Sequence, residues 1–211
     1  MDTDRRIVTL RHRSPAGWCR NQRMDKTLDW FGRAQEEFGR RVHMARPDQW
    51  SCATPCTDWD VRGLVNHLVV EQLWVPPLMA GQTVADVGDR FDGDQLGDDP
   101  ARAWDEAAAA AHAAFAADGA MDSTVHLSYA DRPGREYCME MLFDAVVHAW
   151  DLARALEVDE KLDPELVEQV YAMAESQADM LASSGLFAER VPVPDDADLQ
   201  SRLIGLTGRK P

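Results

Sequence analysis

Two stretches of the sequence carry residues whose types and spacing suit metal binding. In the first, Asp144 and His148 are four residues apart, so in a helix their side chains project from one face. Asp151 follows three residues later and extends this polar stripe. The flanking residues are apolar, and a polar stripe beside a core-facing surface is costly unless its groups find partners. We therefore expect these side chains to contact polar partners within the fold or to bind a ligand.

The second stretch places a histidine on another apolar helix face. His67 lies between Leu64 and Leu68, on the inward side of the predicted helix, and Glu71 follows one turn later. A single histidine in such a setting is usually a hydrogen-bonded core residue. Its significance depends on whether the two stretches meet in the fold.

Together these residues form a plausible ligand set. Two histidines and one carboxylate, namely His67, Asp144 and His148, would give a three-ligand divalent metal site with open positions, as a catalytic or substrate-binding metal requires. Imidazole and carboxylate ligands suit zinc, nickel or iron(II). Glu71 and Asp151 are predicted to support the ligands from outside the set. The alternative is a pair of core histidines, with Asp151 as a structural cap or salt-bridge partner.

The remaining histidines and cysteines have simpler interpretations. His126 is expected to be a supporting or surface residue. His112 is expected to be half-buried structure, with a place in the pocket lining as the alternative. Cys138 is expected to be a buried inert thiol, with a position at the pocket mouth as the alternative. Surface positions are expected for His12 and His43. The pair Cys52 and Cys56 has no second cysteine pair with which to form a structural zinc site. The sequence has no glycine-rich phosphate loop, serine nucleophile elbow or H-E-x-x-H motif.

The elements that must position these residues are helical. Apolar positions spaced by three and four predict five helices, over residues 24–45, 60–75, 100–117, 136–156 and 164–183. Pro76 and Pro77 are expected to close the second helix, the Asp99-Pro100 pair to open the third, and Gly119 to follow it. Four long helices favour an all-α bundle, with ligands held between facing helices.

Three shorter segments complete the predicted fold. Residues 123–130 are expected to form an extended arm or hairpin, with residues 131–134 as a turn. The acidic, glycine-rich residues 81–99 are predicted to be a solvated loop. The tail is expected to be extended at 191–194 and to end in a short amphipathic turn at Gly205.

Composition limits the function classes. The chain has 211 residues and a net charge of −15, which disfavours nucleic acid and anionic membranes as partners. Residues 1–23 hold six Arg and two Asp and are predicted to be a disordered basic tail. If Met24 is the true initiator, this stretch is not part of the natural protein. The alternative is that it is a basic targeting arm. Residues 24–211 are predicted to be one helix-bundle domain, and the few cysteines favour a cytoplasmic protein.

Two linked motifs carry a resemblance to a known family. They read Trp50-x-x-x-Thr54-Pro55-Cys56-x-x-Trp59-x-Val61-x-x-Leu64-Val65-Asn66-His67-Leu68 and Asp144-x-x-x-His148-x-Trp150-Asp151-Leu152-Ala153. The chain resembles the metal-binding domain of the actinobacterial mycothiol-dependent maleylpyruvate isomerase family, part of the DinB-like superfamily of four-helix bundles. Its ending, from Phe187 to Pro211, resembles a single-domain subfamily.

The resemblance implies a fold, a metal and a cosubstrate. It implies a DinB-like four-helix bundle with a short hairpin insertion and an extra C-terminal helix, and a zinc or other divalent ion on His67, Asp144 and His148. The family's carboxylate is commonly Glu, and here it is Asp. The isomerase has a further C-terminal domain that this chain is not expected to carry. Mycothiol or a similar thiol would be the cosubstrate.

Three functions therefore remain open at this stage. The first is a metal- and thiol-dependent transferase or isomerase, in which the metal activates the thiol. The second is a metal-dependent hydrolase, with Glu71 as the base. The third is a non-catalytic, metal-stabilised bundle that binds a small ligand. The partner would be a small-molecule thiol or substrate, and a homodimer is also open.

Overall fold

A ring of four helices forms the body of the protein in the computed structural model, which describes residues 26–57, 59–176 and 188–211. The helices are α1 (Lys26–Met44), α2 (Val61–Met79), α4 (Pro100–Ala116) and α5 (Gly134–Leu156). Helix α1 packs on α5 and α4, and α2 packs on the same two helices, which closes the ring. The predicted all-α bundle is confirmed. Among the helices of the described segments, none has the length and apolar character of a membrane span.

The shorter elements surround this ring. They are α3 (Val84–Val87), a 3-10 turn (Ala120–Asp122), β1 (Thr124–His126), β2 (Asp131–Pro133), α6 (Pro164–Ser176) and α7 (Leu199–Leu206). Helix α6 packs against α5 and α7, so the C-terminal part of the chain covers one side of the bundle. The predicted continuation of α6 to Ser183, like residues 1–23, falls outside the described residues.

Large aromatic side chains fill the core between α1 and α4. Phe38 and Trp104 are buried, with ring centroids 4.6 Å apart, and Phe31 meets Phe115 edge to face at 5.4 Å. The two helices approach closely at Gly39, where an added Cβ would lie 2.6 Å from Trp104 Nε1. Burial of these rings fixes α1 against α4 and stabilises the bundle that carries the site.

Helix α2 continues through the two prolines that were expected to end it. It starts at the N-cap Asp60, whose side chain accepts a hydrogen bond from Gly63 N at 2.8 Å, and it runs to Met79. Prolines cannot donate to the preceding turn, but their φ suits a helix, and the carbonyl of Pro76 still accepts from Ala80 N at 3.0 Å. Val75 and Leu78 are buried, so core packing outweighs the missing hydrogen bonds.

The predicted hairpin is present, but its turn was misplaced. Strands β1 and β2 pair antiparallel, with Val125 opposite Arg132, so residues 131–133 form a strand and residues 127–130 form the turn. Gly134 N donates to Ser123 O at 2.8 Å and begins α5 two residues earlier than expected. Pairing with β1 prevails over the local turn signal.

Two loop predictions also needed correction. Within residues 81–99 the structure has the short helix α3, which begins with a capping box between Thr83 and Asp86. Asp99 caps α4 as predicted, but that helix ends at Ala116 rather than next to Gly119. Gly119 adopts a left-handed φ of 77° and leads into the 3-10 turn instead.

Candidate metal centre

Helices α2 and α5 bring the three predicted ligands together. His67 Nε2 lies 3.2 Å from Asp144 Oδ2, and His148 Nε2 lies 3.3 Å from Asp144 Oδ1. One ligand atom from each of the three residues fits within a span of 4.8 Å. The two stretches of sequence therefore meet, and both imidazoles turn their Nε2 atoms toward the same carboxylate.

The cluster is closed on one side and open on the other. The His148 side chain is 6 % exposed, whereas His67 and Asp144 are 24 % and 26 % exposed. Trp59 covers part of the cluster, stacking on His67 with ring centroids 4.4 Å apart. The loop before α2 holds this indole in place, because Thr54 Oγ1 donates to Trp59 O at 2.8 Å. Solvent therefore reaches His67 and Asp144 but hardly reaches His148.

The electrostatics keep the carboxylate ionised. Burial raises the pKa of Asp144, but the charge of His148 and contacts from both histidines outweigh burial and hold that pKa well below its ordinary range. Burial lowers the pKa of His148, but Asp144 and Asp151 outweigh it and raise the pKa to about 9. His148 and Asp144 thus face each other as an imidazolium and a carboxylate.

The donor set fits a divalent cation. Asp144 Oδ2 is buried and, among the described residues, has no aligned hydrogen-bond donor, despite its 3.2 Å separation from His67 Nε2. Two imidazole nitrogens and a carboxylate oxygen are the ligands of many three-ligand metal sites. A cation would bind the two Nε2 atoms, displace the proton from His148 Nε2 and satisfy this oxygen.

Asp151 lies behind His148. Its Oδ2 is 2.8 Å from His148 Nδ1, and the carboxylate is completely buried. Histidine ligands of metals commonly donate their other ring N–H in this way, which fixes the tautomer and the ring orientation. His148 can then present Nε2 to the cluster.

Arg209 is the residue that sequence reasoning missed. Its Nε lies 3.1 Å from Asp151 Oδ1, and its Nη2 lies 2.8 Å from Asp151 Oδ2. The only local signal was the Gly208-Arg209 pair, because a glycine after a helix often reverses the chain. Nothing local connected that pair with Asp151.

Glu71 lies one helical turn beyond His67, half-buried beside the cluster. Burial, followed by the negative charge of Asp144, raises its pKa to about 7. Glu140, one turn before Asp144 on α5, has a pKa raised by burial, and it accepts a hydrogen bond from Tyr129 Oη at 2.5 Å. The cluster thus has two further carboxylates nearby, and the tip of the hairpin is hydrogen-bonded to one of them, Glu140.

The other histidines and Cys138 lie apart from the cluster. His126 pairs with Asp131 on the hairpin, His43 pairs with Asp105, and both are exposed. The ring of His112 is parallel to that of Phe31 at 6.5 Å. Cys138 is fully buried. His12 lies outside the described residues.

Comparison with known proteins identifies the family to which the chain belongs. A sequence model described as "Mycothiol maleylpyruvate isomerase N-terminal domain" matches residues 31–153, which include His67, Asp144, His148 and Asp151. The chain belongs to this family. The match ends before α6 and α7, so the mycothiol maleylpyruvate isomerase N-terminal domain corresponds to the helix ring and the ligand cluster.

Two relatives from Mycobacterium tuberculosis extend the comparison. They are Uncharacterized protein Rv0738 of strain H37Rv and Uncharacterized protein MT0763 of strain CDC 1551, each 32% identical over 188 residues. In both cases the alignment covers 84% of this chain and 94% of the relative. No solved structure matches the chain.

Proposed function

We propose that this bundle binds one divalent ion through His67, Asp144 and His148 and uses it in a thiol-dependent transferase or isomerase reaction. The observation that carries the proposal is the convergence of three possible ligand atoms within 4.8 Å, on side chains of which two are partly exposed to solvent. A closed structural site would use four protein ligands, whereas three ligands leave room for a small molecule.

Each residue has a distinct part in the proposal. His67, Asp144 and His148 are the ligands, Asp151 orients His148, and Trp59 forms an aromatic wall beside His67. When bound, the ion would lower the pKa of a coordinated thiol and polarise a substrate carbonyl. Zinc is the first candidate, and nickel suits the same donors.

The family points to the class of cosubstrate. Its description names mycothiol, so a low-molecular-weight thiol of that type is the cosubstrate we propose. Such a thiol stays reduced in the cytoplasm, which we propose as the compartment. The charge of −15 gives no basis for proposing nucleic acid or an anionic membrane as a partner.

The first experiment measures the metal. Protein purified without a metal-affinity tag should contain about one equivalent of zinc, and His148→Ala should lose it. His126→Ala is the matched control, because His126 also pairs with an aspartate but lies on the exposed hairpin. Absence of metal from the wild type after reconstitution with zinc, nickel or cobalt would contradict the proposal.

The second experiment tests the thiol. Mycothiol added to the cobalt-substituted protein should produce a thiolate-to-cobalt charge-transfer absorption, and His67→Ala should abolish it. An unchanged spectrum at saturating thiol would contradict the thiol-dependent part.

A metal-dependent hydrolase is the second candidate, and the position of Glu71 favours it. A hydrolase needs a base near the cluster, and Glu71 is a half-buried carboxylate one turn from His67. Metal-dependent activity that persists without thiol and falls in Glu71→Gln would support this candidate. A non-catalytic bundle would instead show stabilisation by metal and no thiol coordination.

A further inference from the structure

The end of the chain forms a turn that aims Arg209 back into the bundle. Helix α7 ends in a Schellman motif, in which Arg209 N donates to Ile204 O at 3.0 Å and Gly208 N donates to Gly205 O at 3.2 Å. Gly208 has a φ of +80°, and a Cβ there would lie 2.7 Å from Ala188 O. The turn therefore requires glycine, and it fixes the direction in which Arg209 leaves the helix.

Helix α7, from which this turn leaves, is well packed and hydrogen-bonded. Leu203 and Ile204 are completely buried, and Val191 N donates to Gly205 O at 2.9 Å. Thr207 Oγ1 donates to Ile204 O at 3.0 Å and is itself buried. The segment thus has its own packing and hydrogen bonds, and Arg209 projects from an ordered support.

Arg209 makes a two-pronged contact with a completely buried carboxylate. Its Nε and Nη2 face the two oxygens of Asp151, and its Nη1 donates to Thr207 O at 2.8 Å. Arg209 as a whole is only 8 % exposed. Paired contacts of this kind restrict the orientation of the carboxylate as well as neutralising it.

The oxygen that Arg209 holds is also the one that meets the candidate ligand. Asp151 Oδ2 lies 2.8 Å from Arg209 Nη2 and 2.8 Å from His148 Nδ1. The contacts therefore run from the C-terminal turn through Asp151 to the imidazole of His148. Any rotation of the Asp151 carboxylate would change the partner available to Nδ1–H.

We propose that Arg209 is a positioning residue for the metal centre, acting through Asp151 to fix the orientation and tautomer of His148. This inference rests on the metal-binding part of the proposed function. It adds a residue that lies outside the family match, which ends at residue 153. The C-terminal turn is then part of the site, because Arg209 and His148 contact the same oxygen of Asp151.

The test compares two arginines of the same segment. Arg209→Met should weaken zinc affinity about 10–100-fold, the usual effect of losing a group that orients a ligand. Arg202→Met is the matched control, because Arg202 bonds the carbonyls of Ala197 and Asp195 near the start of α7 and contacts neither Asp151 nor His148. Affinities come from competition with a chelator, and folding is checked by thermal melting.

Two further measurements separate positioning from stability. The d–d absorption of the cobalt-substituted protein should change in Arg209→Met and stay as wild type in Arg202→Met. Arg209→Lys keeps the charge but not the paired contact, so its zinc affinity should lie between those of the wild type and Arg209→Met. Arg209→Lys replaces Arg209→Met if the methionine variant fails to fold. Wild-type zinc affinity and an unchanged cobalt spectrum in Arg209→Met would overturn the inference.

A metal-free readout distinguishes this inference from the proposed function. In the apoprotein, the ¹⁵N resonance of His148 Nδ1 reports the hydrogen bond to Asp151, and it should change in Arg209→Met. A protein that binds no metal but shows this change would refute the proposed function and retain the positioning role. Unchanged His148 resonances would refute the positioning role.

Discussion

His67 on α2 and Asp144 on α5 meet across the bundle, with His67 Nε2 3.2 Å from Asp144 Oδ2. This oxygen is buried and has no aligned hydrogen-bond donor among the described residues. A buried carboxylate oxygen in that state is costly to keep without a cation. The pair therefore connects the packing of two helices with the candidate metal site.

Asp144→Asn should abolish stoichiometric zinc binding. The substitution keeps the shape of the side chain but removes the negative charge that draws a cation between the two imidazoles. Metal content after dialysis against zinc, followed by removal of the excess, measures the effect.

The matched control for that variant is Asp131→Asn on the hairpin. Asp131 also pairs with a histidine, His126 at 2.8 Å, but it lies away from the cluster. Its metal content should equal that of the wild type. Equal zinc in Asp144→Asn and the wild type would remove Asp144 from the ligand set.

The three residues of the candidate site could be picked out from the sequence because their pattern is local. Asp144 and His148 share one face of one helix, and His67 interrupts an apolar face of another. Those spacings identify the side chains, and the bundle brings the two faces together. Arg209 could not be found in this way, because its contact with Asp151 joins residues 58 positions apart.

The errors in the predicted elements have a similar origin. The turn signal at residues 131–134 and the helix-ending prolines Pro76 and Pro77 are local preferences. Pairing between β1 and β2 prevailed over the first, and burial of Val75 and Leu78 prevailed over the second. Propensity is a weak guide where long-range contacts compete with it.

Removal of the ion should lower the melting temperature. A ligand that binds only the folded state stabilises it by about 2.7 kcal/mol at 100 times its Kd, which in a chain of this size corresponds to about 5–10 °C. The measurement is calorimetry with and without a chelator.

His67→Ala supplies the control for that experiment. Its melting temperature should not respond to the chelator, because one ligand is missing. A similar response in both proteins would mean that the stabilising ion binds elsewhere.

Gly39→Ala should destabilise the bundle by about 1–3 kcal/mol, the usual cost of overpacking a core. The new Cβ would lie 2.6 Å from Trp104 Nε1, so α1 and α4 must separate or the indole must move. Urea unfolding followed by tryptophan fluorescence measures the free energy of unfolding.

Gly32→Ala on the same helix is the comparison for this substitution. Its Cβ would lie 3.2 Å from His112 Nε2, at the end of a side chain that can adjust. Alanine also favours helix over glycine by about 0.5–1 kcal/mol. Gly32→Ala should therefore be clearly less destabilising than Gly39→Ala, and equal losses would contradict the close approach at Gly39.

The ion pair between Arg33 and Asp163 should make stability depend on pH. Burial raises the pKa of Asp163, but its contacts with Arg33 and the backbone of α6 outweigh burial and lower that pKa. Since the unfolded carboxyl titrates near pH ~3.9, the pair stabilises the protein fully above that value and is lost as the pH falls through the lower, folded pKa. The pair is partly exposed, so its contribution is about 1 kcal/mol or less.

A double-mutant cycle with Arg33→Met and Asp163→Asn measures this contribution. The coupling free energy from urea unfolding should be present at pH 7 and should disappear at the acid end of the range in which the protein remains folded. The pair joins α1 to the start of α6, so the same substitutions should leave zinc affinity unchanged, because neither residue touches the ligand cluster. A coupling that is constant with pH would show that Asp163 keeps its charge throughout, or that the contact contributes nothing through its charge.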